Sequence, residues 1–486
     1  MRRGETSGAA RSGKAILAER ARPSVVFALV CLNAPALVAA IGPVAAVALI
    51  SGEITIALSL APSLAAAIAM TVYGRSREMS AARRGEALVS VAASFAVAVL
   101  YAAPGFVALG MTPVDALFEA ASSVTTTGLS MAATTGEWPF VGHFMRAWLQ
   151  WIGGFAFIAA ALALVIGQGV VAKRLGAAGG VADDRAGSTR ARARQLLAVY
   201  VGLTIAAVVF VAAVHPDAAK GGLIALSAIS TGGFSPIPDS VAGAGLAAQV
   251  ATALACLLGA ISLGLWWLAL REGPLAMTED KELRLFCGVL VGGVAAVAAM
   301  EWSADGATVW EAAFTAISAQ TTAGFSVGDV SSLQPASLLA LIAIMIVGGC
   351  LGSTAGGVKA FRLGFVFAAL RLMSLRARTP ASAKTYLRVF GRRTEPEEGS
   401  DVMGLLALYG LATLALWFLL ILTGAAPLPA LFDTVSALST VGLSIGAITP
   451  DLPDGVKLAT TFAMLLGRLE FLALIVLLSP GTWTKR

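Results

Sequence analysis

Four stretches decide the reading: SSVTTTGLS (residues 122–130), SAISTGGFS (227–235), SAQTTAGFS (318–326) and SALSTVGLS (436–444). Superposed on Gly128, Gly233, Gly324 and Gly442, they follow one template. Six residues before each glycine stands a serine: Ser122, Ser227, Ser318 or Ser436. Two before is a threonine (Thr126, Thr231, Thr322, Thr440), and two after is again a serine (Ser130, Ser235, Ser326, Ser444). Ten before is a large apolar side chain: Phe118, Leu223, Phe314 or Phe432. A lone T-x-G is a weak signal, because it arises wherever a glycine caps a helix near a threonine. Four copies on one template indicate an internal repeat, and a repeat sets the architecture before any single motif does.

Each copy ends a short run fit for a helix: 113–125, 219–229, 308–320 and 429–438. Thr112-Pro113 and Thr308-x-x-Glu311 are helix-start signals. Helices of that length are about 15–20 Å long, half a bilayer, so they enter a membrane without crossing it. Longer apolar runs lie near 25–50, 54–73, 87–110, 141–171, 195–214, 244–270, 285–300, 335–370, 403–424 and 455–480. Read at ~20 residues per crossing, they predict an all-α polytopic membrane protein with about ten transmembrane helices. The repeated unit is span, half-helix, extended loop, span. It divides the chain into an N-terminal segment (1–24), two extra spans (25–86) and four fused helix–pore loop–helix repeats (87–194, 195–284, 285–400 and 401–486) around one pore.

Composition agrees. The 486 residues are 58% hydrophobic and 13% charged, with a mean hydropathy of +0.84, whereas a soluble domain carries roughly 25% charge. Soluble, disordered and coiled-coil classes are excluded. The net charge is +6. Most Lys and Arg fall in 1–23, 74–86, 172–194, 271–284 and 371–393, all on one side of the membrane in this layout. The positive-inside rule places those segments and both termini in the cytoplasm of a plasma-membrane protein. It also attributes the basic balance to topology, not to a nucleic-acid partner. The opposite side is acidic, with Asp115, Glu119, Glu137, Asp217, Asp239, Glu301, Asp305, Glu311, Asp329, Asp433, Asp451 and Asp454 against Lys220 and Lys457. An acidic mouth would concentrate cations. The four cysteines are widely spaced and there are only two histidines, so no zinc, redox or organic cofactor site is indicated. With no HExxH, no Ser/His/Asp set and no nucleotide loop, no enzyme is expected.

Non-helical backbone at membrane depth is tolerated only where it lines a water-filled path or packs in protein. Its free carbonyls can replace the hydration shell of a cation. Half-helix C-termini pointing inward add negative potential, and glycine admits the backbone angles that turn a carbonyl toward an axis. Four such loops make a ring.

At these residues the chain resembles the superfamily of K⁺ transporters that contains the TrkH, KtrB and HKT proteins, whose members are similar to a K⁺ channel with four span–pore–span units fused in one chain. The stretches GGCLGSTAGGVKAFR (348–362) and LLGRLEFLALIVLLSP (465–480), and the two extra N-terminal spans, resemble the TrkH type; the fourth loop, STVGLSIG (439–446), is more similar to KtrB. The resemblance implies K⁺ uptake through a gated pore. Its selectivity filter would take carbonyls from Thr126 and Thr127, Thr231 and Gly232, Thr322 and Ala323, and Thr440 and Val441, with contributions from Gly128, Gly233, Gly324 and Gly442. In HKT proteins a serine for the first filter glycine accompanies Na⁺ preference, so Gly128 implies K⁺ as the transported ion. The alternative is a Na⁺-permeable or Na⁺-coupled transporter of the KtrB or HKT kind.

The resemblance also implies a gate. The run from 335 past Ser374 would form a helix of about 60 Å, twice the hydrocarbon thickness, if it were straight. Gly348, Gly349, Gly352, Gly356 and Gly357 break it. In family members this break is an intramembrane loop below the filter, with Lys359 just after it and a basic residue at the Arg468 position in the pore. The partners implied are a second copy of the chain, in a homodimer, and a cytosolic nucleotide-binding regulatory ring of the TrkA type, besides the lipid bilayer. The basic stretches 172–194 and 371–393 are candidate docking surfaces.

Overall fold

The computed structural model describes residues 20–77, 82–132, 135–165, 185–302, 308–380, 382, 385–394 and 396–484. The N-terminal segment 1–24 and the basic stretch 172–194 lie largely outside them. The fold is almost wholly helical. Among the described residues, six helices are long and apolar enough to cross a membrane: Pro23–Ile50, Ile54–Arg75, Gly85–Ala108, Ala191–Val214, Lys281–Trp302 and Glu398–Leu422. Each ends where turn residues or charge interrupt the apolar run, as at Ser51-Gly52 and Ser76-Arg77.

The four short runs form helices at Pro113–Val124, Ala218–Ile229, Val309–Thr321 and Pro427–Leu438. Their starts follow from the sequence. The Thr112 hydroxyl accepts from the Asp115 N–H, and Thr308 and Glu311 form a reciprocal capping box. Asp217 caps the second through the N–H groups of Ala219 and Lys220. Beyond their exposed first turns these helices are largely buried, polar residues such as Ser122, Ser123 and Thr434 included. They therefore sit inside the protein and not along a lipid or solvent face. The large residues of the template, Phe118, Leu223, Phe314 and Phe432, are all buried, which explains their recurrence.

Three apolar runs that read as single spans are broken. The run 244–270 forms Leu246–Ala260 and Leu263–Glu272, bent by 93°. The run 335–370 stops at Val347 and restarts at Ala360, as its glycines predict. The run 455–480 breaks between Asp454–Arg468 and Leu472–Leu478, where Glu470 and Phe471 take positive φ. That last break was not foreseen, because neither residue is a helix breaker. The basic stretch 371–393 carries a small antiparallel hairpin, Arg388–Val389 against Arg392–Arg393. Its Phe390 packs on Phe361, beside the side-chain-free surface of Gly364.

The first two helices form a tight pair. A methyl group on Gly74 would stand 2.7 Å from the Cys31 carbonyl oxygen. Gly74→Val should push the helices apart and destabilise the protein by about 1–3 kcal/mol, the usual effect of overpacking. Thermal unfolding in detergent checks this against Gly288→Val, which enters open space and should leave the midpoint unchanged.

Candidate functional site

The four loops share one backbone. In each, the threonine occupies the left-handed region just past its short helix, with φ of 55° at Thr126, 53° at Thr231, 55° at Thr322 and 50° at Thr440. The next N–H returns to the serine six residues before the glycine: Thr127 to the Ser122 carbonyl at 2.8 Å, Gly232 to Ser227 at 2.8 Å, Ala323 to Ser318 at 2.9 Å and Val441 to Ser436 at 2.8 Å. This closes a helix end of the Schellman kind, with threonine where glycine is usual. A β-branched residue at positive φ is strained by ~1–3 kcal/mol and persists only where its surroundings impose it. Two residues later each glycine also has positive φ, 91° at Gly128, 82° at Gly233, 75° at Gly324 and 93° at Gly442. The glycine is thus not the helix cap but the second turning point of an extended loop.

The loops meet in a closed cycle. A side chain on Gly128 would land on the Gly232 carbonyl oxygen, one on Gly233 on that of Ala323, one on Gly324 on that of Val441, and one on Gly442 on that of Thr127. The same points lie 3.4, 3.2, 3.2 and 3.1 Å from the Cα of the next glycine in the cycle. The order is first to second to third to fourth and back to first. All twelve residues expected at the filter are brought together. The threonines are buried, and among the described residues the Thr126 and Thr440 hydroxyls have no hydrogen-bond partner.

The glycine-rich break lies against this ring. Thr354 donates its hydroxyl to the carbonyls of Ile229 (3.0 Å) and Gly259 (2.9 Å), and its Oγ1 is 3.4 Å from that of Thr231. The Gly356 N–H donates to the Thr322 hydroxyl at 2.6 Å, and the Gly357 N–H to the Ser439 carbonyl at 3.0 Å. One segment therefore touches the second, third and fourth loops. Beside the first, Arg468 donates to the carbonyls of Thr354 (2.7 Å) and Gly153 (3.3 Å), and Gly153 abuts the Val124 carbonyl. Gly348, Gly352 and Gly357 supply positive φ. Gly349 accepts from the Ala360 N–H through its carbonyl. Lys359 is buried and donates to the Ala355 carbonyl. Glu470, two residues from Arg468, pairs instead with Arg362 from the helix after the break.

A sequence profile of the TrkH family, described as cation transport protein, matches residues 79–272 and 289–483. The chain belongs to the TrkH family. It is 30% identical over 402 residues to a Trk system potassium uptake protein TrkH of Halomonas elongata, covering 78% of this chain and 81% of that one. It is 29% identical over 391 residues to the protein of the same name from Escherichia coli K12, covering 77% and 80%. The crystal structure of the potassium transporter TrkH from Vibrio parahaemolyticus has the same fold, with a TM-score of 0.82 at 24% identity over 95% of this chain and 99% of that one.

In this TrkH-family chain the segments after the loop glycines are held by buried charged residues, two of which, Glu119 and Asp433, the sequence suggested only as part of an acidic face. Buried Glu119 accepts from the Ser130 hydroxyl and the Met131 N–H, and pairs with buried Arg146. Arg146 also donates to Ser130 at 2.7 Å and lies over the Trp138 and Phe234 rings. Buried Asp433 accepts from Ser444 and from the N–H groups of Ile445, Ala447 and Ile448, at 2.7–2.9 Å. Glu119 and Asp433 both stand nine residues before their glycines, so the repeat alignment contained the signal. Other acidic residues of that side are engaged too: Asp115 pairs with Lys457 at 2.6 Å and Glu301 accepts from the Gln334 N–H at 3.0 Å. Glu137, Asp217, Asp239, Asp329, Asp451 and Asp454 of the same side are exposed, so that side combines buried structural carboxylates with solvent-facing ones. Asp433→Ala strands four donors, two of them the buried N–H groups of Ala447 and Ile448, and should destabilise the protein by several kcal/mol, at about 1–3 kcal/mol per buried unsatisfied group. Asp433→Asn keeps part of the network and should lose markedly less, as read from thermal unfolding midpoints.

Proposed function

We propose that this chain takes up K⁺ through a gated, channel-like pore whose selectivity filter is the ring of four loops. The observation that carries this is the closed cycle of glycine-to-carbonyl contacts, which gathers backbone oxygens from four loops around one axis. K⁺ has a modest hydration energy and is well served by neutral carbonyls. The buried, unpartnered hydroxyls of Thr126 and Thr440 are further oxygens that a dehydrated cation would satisfy. The names of the relatives, potassium uptake proteins, favour the same ion. Four fused helix–pore loop–helix repeats and about ten crossings fit this reading, with the broken runs counted as spans. The charge asymmetry supports cytoplasmic termini, and the bacterial relatives favour the inner membrane. With the interior negative, the membrane potential supplies ~2.3 kcal/mol per charge per 100 mV for accumulation.

The segment 348–359 is the gate in this proposal. It crosses the inner end of the ring, and Arg468 and Lys359 set positive charge beside the path, where a cation would be repelled. The hairpin Arg388–Val389/Arg392–Arg393 exposes basic side chains and is a docking point for the regulatory ring of the TrkA type; a homodimer completes the assembly.

The test is uptake of radioactive Rb⁺ into K⁺-loaded proteoliposomes containing only this protein. External K⁺ should block uptake, Na⁺ should have little effect, and Gly128→Ser should change the balance. Equal sensitivity to Na⁺, or a serine variant identical to wild type, would overturn K⁺ selection at these loops and favour a Na⁺-permeable transporter. In the same assay, Arg468→Ala with Lys359→Ala should raise basal uptake several-fold. Unchanged or lower uptake by a folded double variant would remove the gate assignment.

A further inference from the structure

The four loops are not held alike. In the first and fourth, the serine six residues before the glycine accepts from the glycine N–H through its side chain: Gly128 to Ser122 Oγ and Gly442 to Ser436 Oγ, each at 3.0 Å. In the second and third, the corresponding hydroxyls of Ser227 and Ser318 have no partner among the described residues. The second loop has a different restraint. Gln150, fully buried on the Phe140–Val165 helix, donates its carboxamide to the Gly232 carbonyl at 2.5 Å and accepts from the Phe234 N–H at 3.3 Å. Its two bonds bracket Gly233.

This explains a departure from the template. The residue after the strained threonine is Thr127, Ala323 or Val441 in the other loops, but Gly232 in the second. A side chain at Gly232 would collide with the Gln150 carboxamide, 2.5 Å from its Oε1 and 2.8 Å from its Nε2. The repeats also align on a later glycine, Gly153, Gly259, Gly349 or Gly467; three residues before it stand Gln150, Cys256, Ile346 and Met464. Only the first of those four carries a carboxamide. The carbonyl that Gln150 holds is also the one against which Gly128 packs, so it belongs to the ring itself.

We propose that Gln150 is a positioning residue for ion selection, fixing the Gly232 carbonyl at a distance from the axis suited to the larger cation. The inference rests on the reading of the ring as a selectivity filter. Two effects act in one direction. An N–H bonded to the carbonyl weakens the field it offers an ion, and a strong field favours the smaller Na⁺. The bond also restrains two consecutive glycines, the most pliable backbone in the ring, against closing around a smaller ion. In the other loops the corresponding residue, Thr127, Ala323 or Val441, carries a side chain that already limits its backbone.

The experiment measures relative Na⁺ and K⁺ permeability in proteoliposomes for Gln150→Leu and Gln150→Glu, with Gly128→Ser alongside. Leucine removes both bonds. Glutamate has nearly the same size and retains an acceptor for Phe234 but cannot donate to Gly232 when ionised. Both should raise the Na⁺-to-K⁺ permeability ratio several-fold, whereas a purely structural role would lower the amount of active protein without moving the ratio. An unchanged ratio in both, with Gly128→Ser altered, overturns the role of Gln150 and leaves the filter standing. Unchanged ratios in all three overturn the filter reading. If neither Gln150 variant folds while Gly128→Ser does, Gln150 is a structural residue and the proposal fails.

Discussion

The contact on which the structure depends is the approach of each loop glycine to the carbonyl of the neighbouring loop. At Gly128, Gly233, Gly324 and Gly442 the space for a side chain is already filled by a backbone oxygen. No L-residue with a Cβ fits without displacing a neighbouring loop. Because the contacts run in a cycle, displacing one loop is felt by the next. Strain at the four threonines is maintained the same way: each short helix ends in an identical backbone motif, and each motif is held by burial on all sides.

Around that ring, the breaks in the apolar helices follow from hydrogen-bond accounting. A helix that stops in an apolar interior exposes carbonyls that must find donors. The Leu246–Ala260 helix ends with the Gly259 and Ala260 carbonyls accepting from the N–H groups of Thr354 and Cys350. The irregular segment 348–359 in turn spends further N–H groups on Glu282, Thr322, Ser439 and Ile346. One break therefore satisfies another. Arg468 joins them by donating to Thr354 and Gly153, which ties the last long helix to the segment and to the first repeat. A movement that opened this segment would have to replace those bonds together, so its position is expected to be two-state and not graded.

The close helix packing behind the ring repeats as well. Gly153, Gly259 and Gly467 each place a bare Cα against the last carbonyls of a short helix, at Val124, Ile229 and Leu438. These glycines recur at nearly constant distance from the loop glycines. They allow the second long helix of a unit to lie on the short one with backbone touching backbone, a device suited to membranes, where close approach replaces hydrophobic exclusion as the adhesive force.

The sequence by itself determined what is periodic. Apolar runs gave the long helices, half-length runs with capping residues gave the short ones, and the fourfold template marked the threonine and glycine of each loop, because equivalent positions in a quasi-symmetric ring face equivalent sterics; the residue between them came from the family resemblance. The glycines of 348–357 announced a break for the same local reason. Tertiary structure alone decided what is not repeated. The 93° bend after Ala260 and the turn at Glu470-Phe471 have no local breaker strong enough to announce them and depend on partners far along the chain, Cys350 and Thr354 for one and Arg362 for the other. Glu119 and Asp433 read as surface acids because charge alone does not reveal an internal partner. Gln150 was invisible because it occurs once, and the reason for it, a glycine in the neighbouring loop, exists only after the helix and the loop have been brought together.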